Sequence, residues 1–177
     1  MADLAKEVSL SIRDVKDFPV KGVIFKDITP IFENISLFSK IIDFFAQKFS
    51  DMKINKIAGV ESRGFLFGAP LALKMNIPFV LIRKKGKLPG NTAEVSYDLE
   101  YGTATIEAHK DSFESGDRVL LIDDLLATGG TVNASVNLIK KLKAEVVASA
   151  FVVELSFLKG RENITDKNIE VVSILKY

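Results

Sequence analysis

Two adjacent carboxylates followed by a turn rich in glycine and hydroxyl groups form the most chemically suggestive stretch of this chain. The run VLLIDDLLATGGT at 119–131 places Asp123 and Asp124 at the end of an apolar segment. A helix start leaves backbone N–H groups unpaired, and glycine allows an anion to approach the backbone closely. Carboxylates would repel a phosphate, so we expect the aspartates to face sugar hydroxyls, a metal or a developing cation. The candidate phosphate donors are Ala127, Thr128, Gly129, Gly130 and Thr131.

How strongly this turn would bind a phosphate depends on its number of hydrogen-bond donors. A helix dipole contributes roughly 0.3–1 kcal/mol toward an anion, whereas each hydrogen bond to a charged group contributes about 1.5–3 kcal/mol. Several N–H and hydroxyl donors would therefore contribute more to phosphate binding than the helix dipole does. The alternative is an ordinary strand-to-helix turn capped by Thr128, with both aspartates solvated. The fixed order of these features after an apolar strand favours phosphate binding.

A second candidate turn follows the short apolar segment at 56–60. Glu61-Ser62-Arg63-Gly64 precedes a predicted helix, and its arginine is charged at every accessible pH. The turn could hold an anion, or Arg63 could simply pair with a neighbouring acid.

A basic loop is the third candidate. Arg83, Lys84, Lys85 and Lys87 alternate with Gly86, Pro89 and Gly90. Alone, such a run is usually a solvated surface. Beside two anion-binding turns, a flexible basic loop could instead close over a diphosphate and exclude water.

Strands and helices alternate along the chain, which predicts an α/β fold with a mostly parallel sheet covered on both faces. Ligands of such sheets lie beyond the carboxyl ends of the strands, so the loops after Val60, Ile82 and Ile122 should meet at one edge. We predict helices at 4–15, 36–50 (capped by Ser36), 65–75 and 131–143, and a loop from Pro19 to Pro30. We predict strands at 56–60, 79–82, 93–99, 102–108, 118–122, 146–153 and 171–175.

Composition narrows the function classes. The 177 residues suit one domain, and 47% hydrophobic with 27% charged residues is typical of a globular protein. A net charge of +1 argues against a broad nucleic-acid-binding face. The absence of cysteine excludes disulfides and thiolate metal sites and fits a reducing cytoplasm. We expect no membrane span and no signal peptide.

The 119–131 run resembles the phosphoribosyl-pyrophosphate (PRPP) signature of the type I phosphoribosyltransferases. Further segments resemble the branch of that family that acts on adenine. They are FPVKGVIFKDITPI at 18–31, GVESRGFLFG at 59–68, RKKGKLPG at 83–90, SYDLEYG at 96–102 and VELSFLKGR at 153–161. The resemblance implies one domain over 1–177, with an N-terminal helix and base-binding hood at 1–33 and a PRPP-binding core at 34–177. A flexible loop and hairpin should cover the site.

The resemblance also implies an activity. We expect a glycosyltransferase of purine salvage that transfers the 5-phosphoribosyl group of PRPP to adenine, giving AMP and pyrophosphate. Mg²⁺ would be held mainly by PRPP, with Asp123 and Asp124 reaching it through water. A homodimer in the cytoplasm is expected, with no nucleic-acid or membrane partner. The alternatives are transfer to a 6-oxopurine (hypoxanthine, guanine or xanthine) and a PRPP-sensing regulator.

Individual roles follow from the same resemblance. Asp123 and Asp124 would accept hydrogen bonds from the ribose hydroxyls, and residues 127–131 would hold the phosphate. The expected pyrophosphate-binding residues are Glu61, Ser62, Arg63, Arg83, Lys84 and Lys87, with a cis peptide at Glu61–Ser62.

The base site is expected in the 18–31 segment and at the hairpin tip. The backbones of Ile24 and Lys26 would read the adenine edge, and Phe25 would stack on the ring. Glu100 would act as general acid/base and Tyr101 would cover the site. Without the resemblance, Glu100 would be an exposed turn residue and Phe25 a core phenylalanine.

Overall fold

The computed structural model describes residues 2–99 and 102–177. Within these residues the helices are α1 (Ala2–Ser11), α2 (Thr29–Glu33), α3 (Ile35–Lys48), α4 (Arg63–Met75), α5 (Gly130–Lys141) and α6 (Gly160–Asn163), with a 3-10 turn at Ser156–Leu158. The strands are β1 (Arg13–Lys16), β2 (Ile24–Asp27), β3 (Lys56–Val60), β4 (Phe79–Lys84), β5 (Thr92–Leu99), β6 (Gly102–His109), β7 (Arg118–Leu126), β8 (Glu145–Glu154) and β9 (Glu170–Lys176). No helix in this part of the chain is both long and apolar enough to cross a membrane.

A seven-stranded sheet in the order β5-β6-β4-β3-β7-β8-β9 forms the centre of the protein. The strands from β4 to β9 in this order run parallel, while β6 pairs antiparallel with β4 and β5. The predicted α/β fold with a mostly parallel sheet is confirmed.

Both faces of the central strands β3, β7 and β8 are mostly buried, which explains the continuous apolar runs in these strands. Side chains alternate between faces along β7. Leu120 and Ile122 pack in a cluster with α3 and α4, whereas Val119 and Leu121 pack in the cluster that contains α5.

The carboxyl ends of the central strands lie side by side. Gly59 of β3 is in register with Leu81 of β4 on one side and with Ile122 of β7 on the other. The carboxyl ends of these strands meet at one edge of the sheet, as the sequence predicts. The predicted end of the third strand at Ile122 was wrong, because β7 continues to Leu126 through its pairing with β8. Asp123 and Asp124 therefore lie in the strand and not in the loop after it.

The N-terminal region differs from the prediction. The helix predicted over 4–15 ends at Ser11, and β1 pairs antiparallel with β2 to form a separate two-stranded sheet. The predicted loop from Pro19 to Pro30 was wrong, because it contains β2 and the start of α2. Each strand of this pair has four residues and depends on its partner, so local periodicity did not reveal them.

The start of α3 also differs. Asn34, rather than the predicted Ser36, occupies the N-cap position, and its side chain accepts a hydrogen bond from the Leu37 N–H at 3.1 Å. An N-cap oxygen normally reaches the N–H group three residues ahead. The predicted cap was therefore two residues too late.

Candidate active site

The turn between β7 and α5 encloses a small pocket. Its volume is about 70 Å³, and its lining consists of Asp123 and residues 125–132. Gly129 occupies the N-cap position of α5 with a φ of 87° and no side-chain cap. This conformation favours glycine. The alternative of an ordinary turn capped by Thr128 does not describe the structure.

The two aspartates have different surroundings. Asp123 accepts a hydrogen bond from the Asp124 N–H at 2.9 Å. Burial, together with the nearby Asp124 carboxylate, raises the pKa of Asp123 well above its ordinary value. The buried Asp124 carboxylate instead pairs with Arg63, whose Nε lies 2.9 Å from Oδ2.

Arg63 connects three parts of the site. It is the first residue of α4, it pairs with Asp124, and its guanidinium carbon lies 5.4 Å from the ring centroid of Phe25. The Glu61–Ser62 peptide before it is cis, as the resemblance led us to expect. The structure thus brings the start of α4, the carboxyl end of β7 and the 18–31 segment together.

Gly64 allows the first of these turns to approach β7 closely. A Cβ atom there would lie 2.7 Å from the carbonyl oxygen of Ile122 and 3.1 Å from Oδ1 of Asp123. Any larger residue would push α4 away from the aspartates.

Glu61 organises the base of the basic loop. Its carboxylate accepts hydrogen bonds from the Arg83 Nε at 3.2 Å and from the Lys84 N–H at 2.9 Å. Burial alone would raise the pKa of Glu61, but these hydrogen bonds and the adjacent positive charges outweigh it, so the pKa is lowered. Arg83 also donates to the Lys87 carbonyl oxygen at 3.0 Å.

Glu107 on β6 is a residue that the sequence reasoning missed. It pairs across the strands with Arg83, and its buried carboxylate accepts from the N–H groups of Lys87 and Leu88, both at 2.9 Å. Burial would raise the pKa of Glu107, but these bonds outweigh it and the pKa is lowered. The alternating pattern of β6 suggested a solvent-facing acid, and nothing local signalled that a loop would cover it. The basic loop that the sequence analysis describes as flexible is thus anchored at Lys87 and Leu88 in this structure.

The N-terminal segment approaches the site through Phe25. Its ring packs edge-on against Phe18 with centroids 5.1 Å apart. The neighbouring Ile24 is exposed, and the Lys26 ammonium group lies 2.8 Å from Asp14. Glu100 and Tyr101 lie outside the described residues.

The hairpin reaches the phosphate turn through a contact that the sequence did not suggest. The Tyr97 hydroxyl on β5 lies 3.2 Å from the Thr131 hydroxyl at the start of α5. This contact places β5 beside the small pocket.

Across residues 2–99 and 102–177, no three acidic, histidine or cysteine side chains gather closely enough to hold a metal among them. The carboxylates beside the phosphate turn belong to Asp123 and Asp124 of β7. Magnesium usually takes one or two protein carboxylates and completes its coordination with water and substrate phosphates. The site therefore fits a Mg²⁺ ion that arrives with a phosphorylated substrate, rather than one held in a protein cage.

Comparison with known proteins gives consistent results. The phosphoribosyl transferase domain model matches residues 28–176. The adenine phosphoribosyltransferase of Carboxydothermus hydrogenoformans is 48% identical over 166 residues, covering 94% of this chain and 96% of that protein. The crystal structure of the Rhodothermus marinus adenine phosphoribosyltransferase matches with a TM-score of 0.94 and 44% identity over the full length of both chains. The Saccharomyces cerevisiae enzyme, complexed with an imino-altritol bisphosphate and adenine, gives 0.91 and 41%, covering 99% of this chain and 100% of that one.

Proposed function

The chain belongs to the adenine phosphoribosyltransferases of the phosphoribosyl transferase family, and from this membership we propose that it transfers the 5-phosphoribosyl group of PRPP to adenine, giving AMP and pyrophosphate for purine salvage. The observation that supports this most directly is the Arg63–Asp124 ion pair, which joins the start of α4, just after the turn that follows β3, to the carboxyl end of β7. Two anion-binding turns at this spacing suit a substrate with phosphates at both ends.

The reaction needs charge stabilisation more than an activated nucleophile. A purine nitrogen forms a bond to C1′ of the ribose, the bond from C1′ to the diphosphate oxygen breaks, and the purine ring loses a proton. Positive charge develops on the sugar. We assign the ribose hydroxyls to Asp123 and Asp124, the cationic sugar to the Asp124 carboxylate, and the 5′-phosphate to the donors of residues 127–131.

We assign the leaving diphosphate to the basic groups of the turn after β3 and of the loop after β4. Ser62 and Arg63 supply donors from the turn after β3, and Arg83, Lys84 and Lys87 supply charge from the loop after β4. Glu61 is assigned to holding Arg83 and Lys84 in place, because its carboxylate accepts their hydrogen bonds. Mg²⁺ carried by PRPP, reached through water by Asp123 and Asp124, would neutralise charge on the departing oxygens.

Adenine is assigned to the 18–31 segment. Backbone groups of Ile24 and Lys26 would recognise its amino group and N1, and Phe25 would stack on its ring. We accordingly propose residues 1–33 as a base-binding hood and 34–177 as a PRPP-binding core. The closeness of the Phe25 ring to Arg63 supports this division, since the base must meet C1′ beside the diphosphate.

The hairpin tip is assigned roles from family resemblance. Glu100 would manage the purine proton and Tyr101 would cover the site. Replacing Glu100 with Gln should slow turnover by at least tenfold without changing the KM for PRPP. Undiminished turnover would remove Glu100 from the mechanism.

A homodimer is proposed on the exposed face of α4. Leu66 and Leu73 lie about two turns apart on this helix with 48% and 84% of their surfaces exposed, and Leu81 of β4 is 38% exposed. Apolar side chains exposed in this way are typical of an interface. The double variant Leu66→Glu, Leu73→Glu should sediment as a monomer if this face is the interface. Because the chain contains no cysteine, we propose the cytoplasm as its compartment.

The experiment that tests the function is incubation with PRPP, Mg²⁺ and each purine base, followed by identification of the nucleotide. AMP should form from adenine at least a hundredfold faster than IMP, GMP or XMP form from hypoxanthine, guanine or xanthine. Preference for a 6-oxopurine would replace the proposed substrate. Salt-dependent nucleic-acid binding without nucleotide synthesis would indicate a PRPP-sensing regulator instead.

A further inference from the structure

The loop that closes the small pocket is supported from behind by α6. A Cβ atom at Gly160 would overlap the carbonyl oxygen of Ala127, and one at Gly129 would lie 2.6 Å from the carbonyl oxygen of Gly160. The Asn163 side chain donates from Nδ2 to the Thr128 carbonyl oxygen at 3.0 Å. The carbonyl groups of Ala127 and Thr128 therefore face α6.

A third carbonyl of the loop is also fixed. The Gly129 carbonyl oxygen accepts the Asn133 N–H at 3.0 Å within the first turn of α5. In a trans peptide the C=O and N–H groups point in opposite directions. Fixing the carbonyls of residues 127, 128 and 129 therefore turns the N–H groups of Thr128, Gly129 and Gly130 away from α6 and from the first turn of α5, and these three residues all line the pocket.

The supporting segment is itself tied to α5. Asn133 donates from Nδ2 to the Asn163 carbonyl oxygen at 2.9 Å, and its Oδ1 accepts the Thr165 N–H at 3.0 Å. Asn133 and Asn163 thus link α5, α6 and the loop in a closed set of hydrogen bonds.

An ion pair between the partly exposed Arg161 and the buried Glu154 holds the same segment to the sheet. Arg161 donates to both carboxylate oxygens of Glu154 on β8, at 3.0 and 2.6 Å, and Ser173 of β9 donates to the same carboxylate at 2.6 Å. Charge-assisted bidentate bonds of this kind have a fixed geometry. The position of α6 is therefore set by the core of the protein.

We propose that Asn163 and Gly160 are positioning residues that aim three consecutive loop amides at the terminal phosphate of the substrate. The inference rests on the proposed function for the identity of that substrate. Without the Asn163 donor, the Thr128–Gly129 peptide is free to rotate, and its carbonyl oxygen would then repel the phosphate. At Gly160, a methyl group would displace the Ala127 carbonyl with the same consequence.

The test compares Asn163→Leu with Asn137→Leu, a matched control at an exposed position of α5. Ribose 5-phosphate binding is measured by calorimetry, and the KM values for PRPP and adenine are measured separately. We expect Asn163→Leu to weaken ribose 5-phosphate binding and raise the KM for PRPP by about tenfold, the effect of one hydrogen bond to a charged group. The KM for adenine and the control variant should be unchanged.

A spectroscopic readout separates positioning from a general structural defect. In ¹⁵N-labelled wild-type protein, the amide signals of Gly129 and Gly130 should shift on addition of ribose 5-phosphate. These shifts should shrink in Asn163→Leu and in Gly160→Ala, while signals in β8 and β9 stay in place.

Two results would overturn the proposal. One is binding of ribose 5-phosphate with wild-type affinity in both Asn163→Leu and Gly160→Ala. The other is a wild-type protein that does not bind ribose 5-phosphate. A wild-type protein that binds ribose 5-phosphate but makes no AMP would count against the proposed function alone, because binding is measured independently of turnover.

Discussion

The ammonium group of Lys26 lies 4.1 Å from the ring centroid of Tyr177 and 2.8 Å from a carboxylate oxygen of Asp14. The register of the β1–β2 pair places Lys26 directly opposite Asp14, and the aromatic ring then contacts the same cation. The Lys26 ammonium group therefore already contacts the Tyr177 ring and the Asp14 carboxylate. Under the proposed function, only the Lys26 backbone would contact adenine.

The first prediction follows from this arrangement. Lys26→Met should change the KM for adenine by less than about threefold and leave the preference for adenine over hypoxanthine intact. Phe25→Ala should raise the KM for adenine by about tenfold, because an aromatic stacking partner is lost. Steady-state kinetics of both variants with adenine and hypoxanthine measure these KM values and the base preference. Loss of base preference in Lys26→Met would show that the side chain reads the base.

The second prediction concerns Asp123 and pH. Because its pKa is raised in the folded protein, the folded state binds this proton more tightly than the unfolded chain does. Stability therefore falls as the pH rises from about 4 through the folded-state pKa. Asp123→Asn should unfold at a higher temperature than wild type at pH 8, with the difference shrinking toward pH 4, and should form AMP more slowly.

The exposed Asp51 provides the control for this variant. Asp51→Asn should follow the wild-type melting temperature at every pH. If Asp123→Asn melts below wild type at pH 8, the ionised carboxylate stabilises the free protein and the account of its surroundings fails.

The third prediction tests the close approach at Gly64. Gly64→Ala should lower the free energy of unfolding by about 1–3 kcal/mol, the usual cost of overpacking. At Gly130, where a Cβ would meet nothing closer than 3.7 Å, alanine should leave the melting temperature within about 2 °C of wild type. Thermal unfolding of the two variants is the measurement. Equal melting temperatures would mean that the turn accommodates the added methyl group at Gly64 without a loss of stability.

The fourth prediction concerns the Arg63 guanidinium. Arg63→Lys should raise the KM for PRPP by about tenfold or more, because lysine lacks the planar fork that pairs with a carboxylate or a phosphate. Arg13→Lys is the matched control, since Arg13 is 63% exposed and its nitrogen lies 3.9 Å from Asp27. An unchanged KM in Arg63→Lys would leave Arg63 as a simple partner of Asp124.

Much of the core could be predicted from sequence because its signals are local. Strands β3, β4 and β7 contain apolar runs, and polar groups follow each run in the last residues of the strand or just after it, where a parallel sheet exposes its carboxyl edge. The adjacency of the turns follows from topology alone. Family resemblance, rather than periodicity, supplied the roles of Glu100 and the 18–31 segment.

What could not be predicted depends on contacts between distant residues. The strands β1 and β2 exist only as a pair, so neither shows an independent pattern. The burial of Glu107 depends on a loop that lies about 20 residues away in sequence. Asn163 lies 35 residues from the carbonyl that it binds, and no motif marks it.

We propose that one edge of the sheet holds a ribose phosphate between the aspartates and the amides of residues 127–131. A crystal structure of the protein with AMP would show where the nucleotide binds. We predict the 5′-phosphate within 3.2 Å of the N–H groups of Thr128, Gly129 and Gly130, and the ribose hydroxyls bonded to Asp123 and Asp124. A nucleotide bound instead in the basic cavity lined by Lys110, Lys141 and Lys143 would contradict the account.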